Sequence, residues 1–257
     1  MEKPVTLILG LGQLTGEAVA RRFVDEGHAV IACDPQMKRV ERVADNLRDK
    51  AIVQHEELHT RIGIKNCLAA AVEAYGHVDH IISVPPIPPN LSLKDLDVPE
   101  FERLHLRSLR GAILTLQLFE KLVARRIEEE GDTMARRPQF GSVTFVLSLS
   151  AQQINAGDFA DAVVQHSILG VMRAASVELA SKKIRANAIC ALRPRAESTE
   201  VDWLKRRTPL GRASLADEIA DAALFLSLPS SAIITGEMLT MDGGRARLSG
   251  LIDGDTD

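Results

Sequence analysis

Short apolar runs and segments of helical period alternate along nearly the whole of this 257-residue chain, and that alternation limits the folds open to it. Val5–Leu9 is an apolar run closed by Gly10. From Gly16 to Glu26, Ala18, Val19, Phe23 and Val24 recur at helical spacing, and Gly27 supplies a C-terminal stop. Ala29–Cys33 reads as the second strand, Met37–Leu47 as the second helix and Ala51–Val53 as a third, weaker strand. Ile62–Tyr75 is predicted helical and is stopped by Gly76; His80–Val84 reads as the fourth strand, ended by Pro85-Pro86. Glu100–Arg126 is predicted helical, Glu128–Gln139 is a polar connector and Ser142–Leu147 is the fifth strand. Asp158–Ser181 is a second long helix, Ile184–Cys190 the sixth strand, Asp217–Leu226 a helix and Met238–Met241 the last strand. Such alternation implies parallel strands joined by right-handed crossovers, with helices on both faces. The expectation is one α/β domain over residues 1–257, a doubly wound, Rossmann-type, mostly parallel sheet of about seven strands.

Composition narrows the function classes. With 46% hydrophobic residues the chain can build a full core, and a chain near this length buries roughly three-quarters of its unfolded surface. A net charge of −4, with basic residues only in scattered pairs such as Arg136-Arg137, argues against nucleic acid as the main partner. No stretch approaches ~18 consecutive apolar residues, so no membrane span is expected. Met1-Glu2-Lys3-Pro4 runs directly into the first strand without a leader, which sets a cytoplasmic expectation. Cys33, Cys67 and Cys190 share no metal-ligand spacing and read as buried thiols; no metal is expected.

The first strand runs into Gly10-Leu11-Gly12-Gln13-Leu14-Thr15-Gly16 and then a helix. Glycines there let the backbone turn tightly and let a pyrophosphate approach the helix N-terminus, whose free N–H groups favour anions. Asp34 ends the second strand, 18 residues after Gly16. A carboxylate at that place accepts from an adenosine ribose and repels a 2′-phosphate, favouring NAD over NADP; Lys38 and Arg39 nearby work against that preference.

From here the chain resembles the short-chain dehydrogenase/reductase family. The resemblance rests on Gly170-Val171-Met172-Arg173-Ala174-Ala175-Ser176-Val177-Glu178-Leu179-Ala180, on Ile184-Arg185-Ala186-Asn187-Ala188-Ile189, and on Pro209-Leu210-Gly211-Arg212. Thr235-Gly236 and Asp242-Gly243-Gly244 continue the order, and Tyr75-Gly76-His77-Val78-Asp79 resembles the approach to the fourth strand. The resemblance implies cofactor contacts at Gly10, Gly12, Leu14, Gly16, Asp34 and Ser83. Leu14 stands where the family has a glycine, and Ser83-Val84-Pro85-Pro86 replaces its Asn-Asn-Ala-Gly. It implies a catalytic serine at Ser148, with Ser150 a second candidate, and places the family's asparagine at Ser108. Its Tyr-x-x-x-Lys falls on Asp161 and Gln165, and the chain's single tyrosine, Tyr75, lies far away in sequence.

In the family the tyrosine hydroxyl exchanges a proton with the substrate oxygen, and the lysine charge tunes it. A free aspartate titrates near about 3.9 and has no proton to donate at neutral pH, and Gln165 carries no charge. His166 lies about 100° around the helix from the lysine position and should point elsewhere. Asp158 and Asp161, three apart, could pair on one face. The expectation drawn is a scaffold whose chemistry has decayed: a non-catalytic homo- or hetero-oligomeric subunit. The two long helices and the last strand would form its interfaces, through Ala174, Ala175, Val177, Ala180, Ile113, Leu114, Leu116 and Leu118. The alternatives are an NAD(H)-dependent oxidoreductase with a rebuilt site acting on a carbonyl or hydroxyl group, and a dinucleotide sensor. Residues 190–215, with Trp203 as an aromatic anchor, read as the substrate loop and 245–257 as a tail.

Overall fold

The computed structural model describes residues 3–12, 14–88, 91–131, 140–192 and 206–250. In order along the chain, β1 (Val5–Leu9), α1 (Thr15–Asp25), β2 (Ala29–Asp34), α2 (Met37–Leu47), β3 (Ile52–His55), α3 (Arg61–Tyr75) and β4 (His80–Ser83) come first. Then follow α4 (Val98–Glu130), β5 (Gly141–Ser148), α5 (Phe159–Glu178), β6 (Ile184–Ala191), α6 (Ala216–Ser227) and β7 (Met238–Met241). The strands form one sheet in the order β3-β2-β1-β4-β5-β6-β7, every neighbouring pair parallel. The expected doubly wound architecture is the one observed.

Burial on both faces explains why the strands read as continuous apolar runs and not as alternating ones. Along β1 the strand period of two sends Leu7 and Leu9 into one core and Ile8 into the other. The first core lies under α3, α4 and α5 and contains Phe119, Phe145, Leu147 and Ile168. The second lies under α1 and α6 and contains Val19, Phe23, Ile219 and Leu224. Arg21 and Arg22 of α1 reach Asp217 and Asp221 of α6 at 2.5 and 2.6 Å across that second layer.

Several boundaries move from their predicted places. The long fourth helix runs four residues beyond Arg126, into the segment whose polarity marked it as connector. Arg125–Glu129 and Arg126–Glu130 pairs, four residues apart on one face, carry it there; residues 132–139 lie outside the described residues. Leu114, Leu116 and Leu118, expected on an assembly face, are core residues of this chain, and only Ile113 of that group reaches the surface. Among the described residues no helix is long and apolar enough to cross a membrane, and no group of three metal-ligating side chains comes together.

Candidate active site

Parallel strands place the turns after β1, β4 and β5 at one edge of the sheet, and the strand order reverses between β1 and β4. A ligand crevice forms at such a reversal, outside the carboxyl ends of the strands. Register sets the levels there: Leu9 pairs with Ser83, and Ser83 with Phe145, so Ser148 projects three residues beyond them.

The glycine turn is tightly built. A methyl group on Gly10 would lie 2.2 Å from the carbonyl oxygen of Val84, and one on Gly16 would lie 2.3 Å from the carbonyl oxygen of Gly10. Gly10, at φ +98°, also adopts a conformation open mainly to glycine. Leu14 is the residue before the first turn of α1, and no side chain caps that helix end. Its own side chain is 41% exposed, so it stands at the mouth of the turn and not inside the protein. Asp34 is 1% exposed. Its Oδ2 accepts the Leu11 N–H at 2.8 Å, its Oδ1 accepts the Gln36 N–H at 2.8 Å, and Arg39 lies 3.5 Å from Oδ2. The carboxylate thus clamps the glycine turn to the end of β2, and the side chain expected to face a ribose faces protein backbone. Ser83, at the end of β4, is also buried.

At the end of β5 three side chains close a ring. Ser148 Oγ donates to Asp161 Oδ2 at 2.8 Å, and Gln165 Nε2 donates to Asp161 Oδ1 at 2.9 Å. Gln165 Oε1 accepts the Ser148 N–H at 3.3 Å. Asp161 and Gln165 stand one turn apart on α5, and all three residues are buried. Only one orientation of the Gln165 amide satisfies both bonds, with Nε2 toward Asp161 and Oε1 toward the Ser148 N–H.

Other candidates fall away from this ring. His166 is exposed and its Nδ1 meets the Ala162 carbonyl of its own helix. Ser108 donates to the Leu104 carbonyl one turn back on α4. Ser150 is buried in the turn after Ser148. Asp158 accepts from Asn155 at 2.8 Å, and Asp161 takes Ser148 and Gln165. Tyr75 ends α3 and packs against the first core. Residues 193–205, Trp203 among them, and 251–257 lie outside the described residues, which leaves half of the expected substrate loop and the end of the tail outside them.

Nothing in the sequence singles out a second polar group near β5. Gln153 Nε2 donates to Asp242 Oδ2 at 3.1 Å, Thr240 Oγ1 donates to Gln152 Oε1 at 2.8 Å, and Arg245 donates to Asn155 Oδ1 at 2.9 Å. These partners are about ninety residues apart along the chain, and no local pattern announces the contact.

A parallel sheet of this order, with a glycine turn after β1 and a polar site at the end of β5, defines a short-chain dehydrogenase/reductase. The family profile described as enoyl-(acyl carrier protein) reductase matches residues 15–246, and the chain belongs to that family. It is 28% identical to short-chain dehydrogenase reductase 3c of Arabidopsis thaliana over 95% of both chains. It is 25% identical to the 3-oxoacyl-[acyl-carrier-protein] reductase FabG of Thermotoga maritima, over 95% of this chain and 98% of that one. Among solved structures it superposes on a 3-ketoacyl-(acyl-carrier-protein) reductase from Brucella melitensis complexed with NADH. That match has a TM-score of 0.80 and 25% identity, and covers 95% of this chain and 99% of the other.

These relatives correct one expectation. A non-catalytic subunit does not stand, because proteins matched over 95% of this chain are named as dehydrogenases and reductases. Asp161 and Gln165 are buried, polar and mutually satisfied with Ser148.

Proposed function

We propose that this protein is an NAD(H)-dependent oxidoreductase acting on a hydroxyl or carbonyl group through a rebuilt site. The observation that carries the reading is the Ser148–Asp161–Gln165 ring at the carboxyl edge of the sheet. Asp161 and Gln165 stand in place of the family's Tyr-x-x-x-Lys, so the proton route differs from the usual one. In the oxidising direction, the substrate hydroxyl gives its proton to Ser148 Oγ while the Ser148 proton moves to Asp161 Oδ2. In the reducing direction the same two transfers reverse. Gln165 holds Asp161 in place through its amide and fixes the Ser148 backbone through its carbonyl oxygen. A bound nicotinamide supplies or takes the hydride. The residues present fit such a cofactor at the turn: an added methyl on Gly12 would have only Val84 within 4 Å, and the α1 N-terminus has no side-chain cap to compete with a pyrophosphate. Asp34, its oxygens taken by the Leu11 and Gln36 N–H groups and Arg39 beside it, supplies no direct contact that chooses between NAD and NADP.

The test is a titration with NADH and with NADPH, followed by melting temperature and then by turnover on a panel of alcohols and ketones. Binding at one hundred times Kd raises stability by about 2.7 kcal/mol. No thermal response to either nucleotide would overturn the proposal. Self-assembly belongs to the same reading. Val177, 78% exposed near the end of α5, Phe225 on α6 and Leu239 on β7 are exposed apolar side chains, and Gly236 sits against Ser176. That surface suits a second copy of the chain, and light scattering reporting a monomer would count against it.

A further inference from the structure

Ser148 is the last residue of β5, and β4 no longer accompanies the strand at that level. β4 ends at Ser83, opposite Phe145, and Pro85 and Pro86, which have no N–H to offer a ladder, follow it. On the other side the Leu192 N–H, the first beyond β6, goes to the Met241 carbonyl of β7 at 3.3 Å. Side chains take over at Ser148. Gln165 Oε1 of α5 accepts its N–H at 3.3 Å, and the Cys190 thiol of β6 donates to its carbonyl at 3.1 Å.

Those two bonds act on different peptide planes. The N–H belongs to the peptide before Ser148 and the carbonyl to the one after it, so together they hold φ and ψ, at −75° and 161°. The side chain leaves from the same Cα, and its Oγ reaches Asp161 Oδ2 at 2.8 Å. Cys190 is fully buried and stands opposite Leu147 in the ladder. A buried cysteine most often serves as a small apolar side chain with a weak S–H donor. Here the donor has a specific acceptor, and that acceptor belongs to the residue on which the proposed proton path starts. A reacting group gains rate from being held in place, and a displacement of roughly 1 Å can cost about a hundred-fold.

We propose that Cys190 is a positioning residue for the reaction at Ser148: its thiol holds the Ser148 carbonyl and so keeps the hydroxyl where Asp161 can take its proton. The inference rests on the oxidoreductase reading for its meaning, but the thiol contact itself is measurable without turnover. The variants are Cys190→Ser, which keeps a donor, Cys190→Ala, which removes it, and Cys67→Ala, which removes another fully buried thiol of the same core, on α3. Each is assayed for kcat and KM with NADH on the carbonyl compound that the wild type turns over best, and for melting temperature. Infrared difference spectra against the wild type isolate the S–H stretch of each thiol removed.

Cys190→Ala should lower kcat about ten-fold, the order of one hydrogen bond, with KM little changed. Cys190→Ser should restore most of that rate, although it puts a more polar group into the core; a side chain that only filled space would show the opposite order. Cys67→Ala should leave kcat unaltered. The Cys190 S–H band should lie below the Cys67 band in frequency, because its proton is bonded to a carbonyl oxygen. If Cys190→Ala does not fold, the band position and the Cys190→Ser rate decide the matter. An unchanged kcat in a folded Cys190→Ala would overturn the inference and spare the redox reading. So would an equal loss in Cys190→Ser, a loss as large in Cys67→Ala, or a Cys190 band no lower than that of Cys67. A lowered band in a protein that neither binds NADH nor turns over any alcohol or ketone would sink the redox reading, and with it the catalytic meaning of Cys190.

Discussion

The molecule buries two polar networks at opposite ends of one sheet, and they are built on different terms. At the amino ends of the strands, Asp79 accepts from Val5 N–H at 2.9 Å, lies 3.0 Å from His77 and pairs with Arg126 at 2.9 Å. Beside it His80 meets Ser142 at 2.9 Å and His28 meets Thr6 at 2.8 Å. At the carboxyl ends, Ser148, Asp161 and Gln165 form a ring with no cation in it. The first network ties β1, β4, β5 and α4 together through a carboxylate flanked by positive partners. The second leaves a carboxylate bonded only to neutral donors at the edge where parallel sheets take ligands. Buried polarity alone marks neither end as functional. Position on the strand ends, and what each carboxylate is bonded to, separate the Asp79 clasp from the proton acceptor proposed at Asp161.

The sharpest way to break this contrast is at Asp161. Asp161→Asn keeps the shape and removes the base, so kcat/KM should fall by about 10²–10⁴-fold while the melting temperature changes little. A large loss of stability with unchanged specific activity would put Asp161 among the structural groups. The reverse is expected of Asp79→Ala. It leaves Arg126 paired with Glu130 but takes the carboxylate from the Val5 N–H and from His77, and should lower stability by about 2–4 kcal/mol, on the order of 5–15 °C in Tm, with specific activity unaltered at low temperature.

The histidines sharpen the comparison through pH. Burial pushes His80 down to about 4, against about 6.5 in an unfolded chain. The unfolded chain therefore takes the proton first. The stability is fully present above about pH 6.5 and is lost as pH falls toward 4, by about 3 kcal/mol in all. His28 is shifted the same way by burial. Urea midpoints at pH 7, 5.5 and 4.5 measure the slope, and His80→Gln should flatten it. The smallest effect belongs at the surface. Arg212 grips both oxygens of Glu218, which also accepts the Leu215 N–H at 2.8 Å, and together they hold that carboxyl down to about 2. Glu218→Gln should cost about 0.5 kcal/mol or less, a contribution that in the wild type is present above about pH 4.5 and fades as pH falls toward 2. A comparable change in denaturant midpoint from Glu218→Gln and Asp79→Ala would refute the division between surface and interior.

Much of the fold was legible because its signals are local. The apolar runs of β1, β2, β5 and β6 and the glycine stops at Gly27 and Gly76 lie next to the residues they organise. The end of α4 was misplaced because polarity was taken for a connector, when the Arg–Glu spacing it contains supports a helix. The site was legible only as a set of positions. That Ser148, Asp161 and Gln165 fall on family positions follows from the resemblance; that they bond to one another depends on β5 meeting α5 in space. Asp34 illustrates the same limit. Its place at the end of β2 was readable, but its turn inward to the Leu11 N–H was not. The contacts of Gln152, Gln153 and Asn155 with residues about ninety positions further on had no linear trace at all.

The close seat of Gly10 under Val84 has a mechanical meaning. With no space for one added carbon between them, the glycine turn after β1 and the exit of β4 cannot slide independently. Any displacement of the turn as a ligand settles is passed directly to Val84 and the paired prolines that follow. A Gly10→Ala change would be felt as a shifted proline segment before it was felt as a weaker turn.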